Sequence, residues 1–224
     1  METDALILTL RLALTTTALL LVIAIPLAGW LALGRTRWRY VVEAVVALPL
    51  VLPPTVLGFY LLVGLGPLTA VGRAITHLLG HTLAFSFTGL VVGSMVYSLP
   101  FAVQPMVAGL RAVDQSYLDA AATLGAVPRR VFARVALPLA KGSMLAAAVL
   151  TFMHTVGEFG VVLMLGGNIP GKTRTISIAI FDAVENFDYA SANRASLLIL
   201  VLSTIALLVV YARSMFVTAR RRDE

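Results

Sequence analysis

The sequence predicts an all-α membrane protein of about five transmembrane helices, and three observations carry that prediction. Of the 224 residues, 59% are hydrophobic and only 12% are charged, an apolar share above that of an ordinary soluble domain. The apolar residues gather into runs of about 20 or more, each long enough to cross a hydrocarbon core of roughly 30 Å at about 1.5 Å per residue. The basic residues gather in alternate connections between those runs. A single polytopic domain over residues 1–224 follows.

Marked off at charges and turn residues, the spans are 5–33, 41–65, 84–110, 139–165 and 195–217. The first opens on Met1-Glu2-Thr3-Asp4, acidic where a secretory signal is basic, so the run is expected to stay as a membrane helix. The connection 34–40 holds Arg35, Arg37 and Arg39 with Trp38 and Tyr40, the composition of an inner interface. The connection 66–83 holds Arg73, His77 and His81. The connection after the third span carries Arg111, Arg129, Arg130, Arg134 and Lys141, and the tail carries Arg213, Arg220, Arg221 and Arg222. By the positive-inside rule these three basic segments are cytoplasmic, which puts the N-terminus outside and the C-terminus inside.

Pro26, Pro49, Pro53, Pro54, Pro100 and Pro105 fall within spans. Each removes a helix donor and crowds the carbonyl one turn back, so kinked or interrupted helices are expected, with the freed carbonyls facing protein or a watery cavity. The net charge of +6 does not point to nucleic acid, because no basic stretch is interleaved with aromatics that could stack bases. Without cysteine there is no disulfide framework, thiolate metal site or cysteine nucleophile. His77 and His81 have metal-like spacing without a nearby third ligand, so a solvated loop helix is expected there and no metal site.

Residues 111–138 form the most informative connection. Asp114 can cap a helix that begins at Gln115, and alanines at 120–122 favour it. Gly125 can take the left-handed conformation that ends it, and Pro128 suits the first turn of a second short helix carrying Arg129 and Arg130. A helix, a sharp turn and another helix on the cytoplasmic surface result. An amphipathic helix resting on anionic lipid would explain the arginines but not the glycine spacing.

Asp119-Ala120-Ala121, Gly125 six residues after Asp119, Val135 and Leu137-Pro138 resemble the loop beginning Glu-Ala-Ala in importer permeases of the ATP-binding-cassette class. Aspartate stands for glutamate and valine for the usual isoleucine, with the spacing intact. The resemblance implies a type I importer permease fold in which this loop docks on a separate ATPase and passes its closure to the membrane helices. It also implies a homodimer in the cell (inner or plasma) membrane, two ATPase subunits that bind ATP and magnesium, an extracytoplasmic oxyanion-binding protein, and no cofactor or catalysis on this chain.

Leu48-Pro49-Leu50-Val51-Leu52-Pro53-Pro54-Thr55-Val56-Leu57-Gly58-Phe59-Tyr60, Gly157-Glu158-Phe159-Gly160, and the outer loop with Asn168, Pro170 and Gly171 are similar to segments of molybdate permeases. The resemblance runs over most of the chain from about Val41 and implies molybdate transport. Tungstate and sulfate or thiosulfate permeases are the alternatives, since these anions share a tetrahedral shape. An ion-coupled secondary transporter or channel needs intramembrane carboxylates or an inverted repeat, and neither is evident.

Thr151, His154, Thr155 and Glu158 lie at helical spacing on or near one face of the fourth span and are candidate gate or pathway residues. His154 and Glu158, four apart, could instead pair with each other. A count from Leu139 puts Glu158 near the outer interface, and a carboxylate there suits a gate or docking role better than binding of an anion. Gly166, Gly171, Lys172 and Thr173 fit a phosphate-binding loop pattern, but that loop needs a preceding strand, and here it follows a lipid-length apolar run. Asp182, Glu185 and Asp188 are expected to form a solvated outer face, with docking of a binding protein as the alternative.

Overall fold

The structure, a computed structural model, describes residues 2–34 and 36–220. Arg35, Arg221 and Arg222 of the charge pattern lie outside the described residues, as do the side chains of Arg213 and Arg220. Among the described residues the chain is helical with no strand. The helices are α1 (Glu2–Leu33), α2 (Trp38–Val51), α3 (Pro54–Gly64), α4 (Ala70–Leu79), α5 (Phe87–Arg111), α6 (Gln115–Thr123), α7 (Pro128–Val131), α8 (Leu137–Leu139), α9 (Lys141–Gly157), α10 (Gly160–Gly166), α11 (Ile176–Glu185) and α12 (Tyr189–Arg220). A π-helical stretch, Phe132–Ala136, joins α7 to α8.

Three helices, Thr3–Leu33, Phe87–Arg111 and Tyr189–Leu208, are individually long and apolar enough to cross a membrane. Two bent pairs meet the same test together: α2 with α3, turned by 112°, and Pro128–Leu139 with α9, turned by 74°. The core lies where α1 packs across α5 and α9. Leu20, Ala24, Ala28 and Leu31 of α1 meet Ala102, Val103, Met106, Val107 and Leu110 of α5, with Ala136, Ala140 and Ala147 closing the layer. Alanine recurs on the facing sides because, between helices in lipid, close backbone approach is the main source of attraction.

The prolines act less uniformly than the sequence suggests. Pro26, Pro49, Pro100 and Pro105 sit inside continuous helices, so none of these four interrupts its helix. Only the consecutive Pro53-Pro54 divides one. A residue before proline is pushed into extended backbone, and both Leu52 (ψ 135°) and Pro53 (ψ 135°) are extended. Two extended residues in succession turn the chain and release α3.

The run 139–165, expected as one span, is divided as well. α9 ends at Gly157, Glu158 is extended (ψ 132°), and α10 restarts at Gly160. Tight packing explains the restart. A Cβ on Gly160 would lie 2.7 Å from the Pro54 Cβ, and one on Gly58 2.8 Å from the Met164 Cβ, so α3 and α10 pack closely through two glycines. The last helix begins at Tyr189, six residues before the expected Ala195, because Asp188 caps it by accepting the Ser191 amide at 3.1 Å. The Ser191 side chain first, and its amide second, hold the exposed Asp188 carboxyl below its usual range.

Candidate functional site

Between α5 and α9 a polar cluster interrupts the apolar packing. Thr155 donates its hydroxyl hydrogen to the Thr151 carbonyl at 2.9 Å, one turn back in the same helix. Ser98 Oγ lies 3.0 Å from Thr155 Oγ1 and 2.9 Å from His154 Nδ1. The His154 ring stacks on Phe101 with centroids 3.9 Å apart and leans on Tyr97 at 4.7 Å. Thr151 and Thr155 are buried, and His154 is half-buried.

His154 and Thr155 therefore converge on Ser98, whereas Thr151 supplies only its carbonyl and its own buried hydroxyl makes no hydrogen bond. Glu158 does not join them through His154: no ion pair links the two residues, and His154 is engaged by α5. Glu158 is also not exposed at an interface. It is 3% exposed at the break after α9, and neither carboxylate oxygen makes a hydrogen bond. The Ser94 hydroxyl lies beside it without reaching hydrogen-bond geometry. Ser98, Tyr97 and Phe101 were not singled out in the sequence, although the four-residue spacings of Ser94 with Ser98 and of Tyr97 with Phe101 mark one helix face each.

The connection 111–138 forms an elbow. Asp114 Oδ1 accepts the Ser116 amide at 2.8 Å, capping α6 and holding the exposed carboxyl below its ordinary value. Gln115 Nε2 donates to Asp119 Oδ1 at 2.9 Å, one turn along. Gly125 turns the chain at φ +80°, and Pro128 starts α7. Leu118 is buried and anchors α6, whereas Asp119, Ala120, Gly125 and Pro138 are exposed, and Ala121, Val135 and Leu137 are half-buried. Leu124 at the tip is 89% exposed.

The loop 167–175 is held by its own side chains. Asn168 Nδ2 donates to Asp182 Oδ1 at 3.0 Å, Arg174 Nε donates to Asn168 Oδ1, and Arg174 pairs with Asp182 at 3.5 Å. Asp182 is thus a structural partner of the loop rather than part of a merely solvated face. Pro170 and Gly171 (φ +71°) form the exposed turn. Thr173 donates to the Gly166 carbonyl at 2.6 Å, so the hydroxyl that a phosphate loop would turn toward a metal closes this turn instead. The loop follows α10, a helix, and not the strand such a loop requires. His77 lies on α4 and His81 just beyond it, and no group of metal-ligating side chains is found among the described residues.

Residues 9–224 match the family described as binding-protein-dependent transport system inner membrane component. The chain is 52% identical over 210 residues to the molybdenum transport system permease protein of Azotobacter vinelandii, covering 93% of this chain and 92% of that one. The corresponding protein of Escherichia coli K12 is 35% identical over 203 residues, 88% of this chain and 89% of that one. Among solved structures, an inward facing form of the MetNI methionine ABC transporter matches with a TM-score of 0.73 at 17% identity, covering 94% of this chain and 93% of that chain. The shared fold is that of an importer permease. This chain belongs to the family of inner membrane components of binding-protein-dependent transport systems.

Proposed function

We propose that this chain is the membrane-spanning permease of an ATP-driven importer that carries molybdate across the cell membrane. The observation that carries the substrate is the 52% identity, over nearly the whole of both chains, to a molybdenum transport permease. Two copies form a single five-span domain each and line one pore, with the basic connections on the cytoplasmic side. Two cassette ATPases bind ATP and magnesium below them, and a binding protein delivers the anion above.

The elbow from Asp119 to Pro138 is the part that receives force. Its exposed Ala120 and half-buried Ala121 present a face into which a partner can pack, and Gly125 lets the turn be sharp. Thr151, His154 and Thr155 with Ser98 form a gate between α5 and α9, and Glu158 marks the hinge where the fourth span breaks. Asn168, Pro170 and Gly171 shape the face that meets the binding protein.

The test is uptake of radiolabelled molybdate by vesicles holding this chain, its cassette ATPase and its binding protein. Uptake is expected only with ATP on the ATPase side, and tungstate is expected to compete better than sulfate. Equal uptake without the ATPase would sink the importer reading, and stronger competition by sulfate would move the substrate to sulfate.

A further inference from the structure

One face of α5 is only partly covered by the rest of the chain. Tyr97, Phe101, Gln104, Ala108 and Arg111 follow at steps of four, three, four and three residues, which is a single helix face. All five are half-buried or exposed, while most residues between them are buried. The His154 ring lies against the upper end of this stripe. A cavity of about 580 Å³ opens at the lower end between α2 and α5, lined by Arg39, Tyr40, Glu43, Gln104 and Arg111 with two alanines.

Two guanidinium groups and one carboxylate share that cavity. Arg111 Nη1 and Nη2 donate to the two oxygens of Glu43 at 3.0 and 2.8 Å, and Nη2 also reaches the Leu31 carbonyl at 3.4 Å. Arg39 donates to the Gly34 carbonyl and to the Tyr40 hydroxyl, both at 2.8 Å. Gln104 brings its amide to the same space, with no side-chain hydrogen bond among the described residues. The cavity carries one more positive than negative group.

We propose that this cavity is a transient site for a tetrahedral oxyanion leaving the pathway, with Glu43 as the internal anion that occupies its seat between passages. The inference rests on the reading of the chain as an oxyanion permease with the connection 34–40 inside. A guanidinium fork offers the same two donors to a carboxylate as to an oxyanion. A dianion brings twice the charge of Glu43 and more acceptor oxygens, so it displaces the carboxylate on arrival. When Glu43 swings back it competes for the same donors and expels the anion. A pathway site must be favourable enough to be occupied and weak enough to be left, and a tethered competitor supplies the second condition.

A lipid phosphate headgroup has the same chemistry, so the test separates the two sources. The assembled importer is placed in nanodiscs of zwitterionic lipid without nucleotide, and bound radiolabelled molybdate is measured at equilibrium. Glu43→Gln takes the competing negative charge and one acceptor oxygen off the Arg111 fork and is expected to retain about tenfold more molybdate than the unaltered importer, a gain that Arg39→Gln with Gln104→Leu removes. Unchanged retention in Glu43→Gln overturns the inference, and so does a gain that the further substitutions leave intact. Anionic lipid in the disc that abolishes the gain makes the headgroup the occupant and also overturns it.

If Glu43→Gln does not assemble, Gln104→Glu adds a second carboxylate without touching the ion pair. Uptake per ATP hydrolysed is then expected to fall about tenfold, and unchanged uptake overturns the inference. Failure of the unaltered importer to carry any oxyanion would instead remove the functional reading, a result that retention by Glu43→Gln does not decide.

Discussion

Ser98 on α5 and His154 on α9, 56 residues apart, are joined by a 2.9 Å contact between Oγ and Nδ1. Because Thr155 commits its only hydroxyl hydrogen to the Thr151 carbonyl, Ser98 donates to Thr155 and must accept from His154. The hydrogen on Nδ1 is thereby assigned by donor count. Nε2 is the ring nitrogen left over, on a side chain only half covered by its own chain.

Ser98→Ala removes the acceptor and leaves a ring N–H unpaired between two helices, at an expected cost of about 1–3 kcal/mol. Thermal unfolding of the assembled importer measures it. In a His154→Phe background the same substitution is expected to cost less, with a coupling of about 1 kcal/mol. Strictly additive losses would show that the two residues do not act together.

At Gly125 the obstacle to substitution is backbone conformation, because a Cβ there would meet nothing within 4 Å while φ is +80°. Asparagine tolerates that region and a β-branched residue does not. Gly125→Asn should keep molybdate uptake, whereas Gly125→Val should abolish it with membrane insertion unchanged. Asp119→Lys should behave like Gly125→Val, since it reverses the charge on the exposed elbow face. Normal uptake by both loss variants would remove the elbow from the mechanism.

Gly109 and Ser143 hold α5 and α9 together at their elbow ends. A Cβ on Gly109 would lie 2.1 Å from Ser143 Oγ and 2.3 Å from its Cβ, so the clash is with an atom that cannot rotate away. Gly109→Ala is expected to destabilise by about 1–3 kcal/mol. Adding Ser143→Gly should restore most of the loss in the same unfolding measurement, and no restoration would place the close approach elsewhere.

Glu158 is a buried carboxyl with neither oxygen hydrogen-bonded, which is costly wherever it is found. Glu158→Gln should leave the unfolding temperature unchanged or raise it by a few degrees, because the amide can donate as well as accept. Uptake should fall, as expected of a residue kept for motion rather than stability. Normal uptake with normal ATPase coupling would end its part in the gate.

The Asp114 cap predicts a pH dependence confined to the elbow. The Ser116 amide holds the folded carboxyl below its ordinary value. The cap therefore contributes fully above the unfolded aspartate range and is lost as pH falls through the lower, folded value. Hydrogen exchange of the α6 amides should quicken in that acid window, and Asp114→Ala should exchange fast at neutral pH as well. Equal protection of α6 in the two proteins at neutral pH would mean that the cap is not what holds the helix.

What could be read along the chain was what neighbouring residues decide. Asp114, Gly125 and Pro128 act over four or five positions, so the turn they make is legible without knowledge of the fold. The Pro53-Pro54 break is equally local. The break at Glu158 was not legible, because the run 139–165 carries no proline to mark it, and its interruption goes with α3 packing on α10 through Gly58 and Gly160. The site was half legible: periodicity put Thr151, His154 and Thr155 on one helix, but suggested Glu158 as a partner for His154 where the structure supplies Ser98.

Hydropathy and the family-like elbow determined, from sequence alone, that this chain is a helical membrane permease. Each signal is additive along the chain or repeats within a turn of helix, and so survives without coordinates. Only the tertiary structure decided which polar groups meet: Ser98 with His154, Arg111 with Glu43 across 68 residues, and Thr9 with the Ile176 amide across 167. Such pairs depend on which helix faces pack in three dimensions, and side-chain spacing within one helix carries no record of the neighbour it will find.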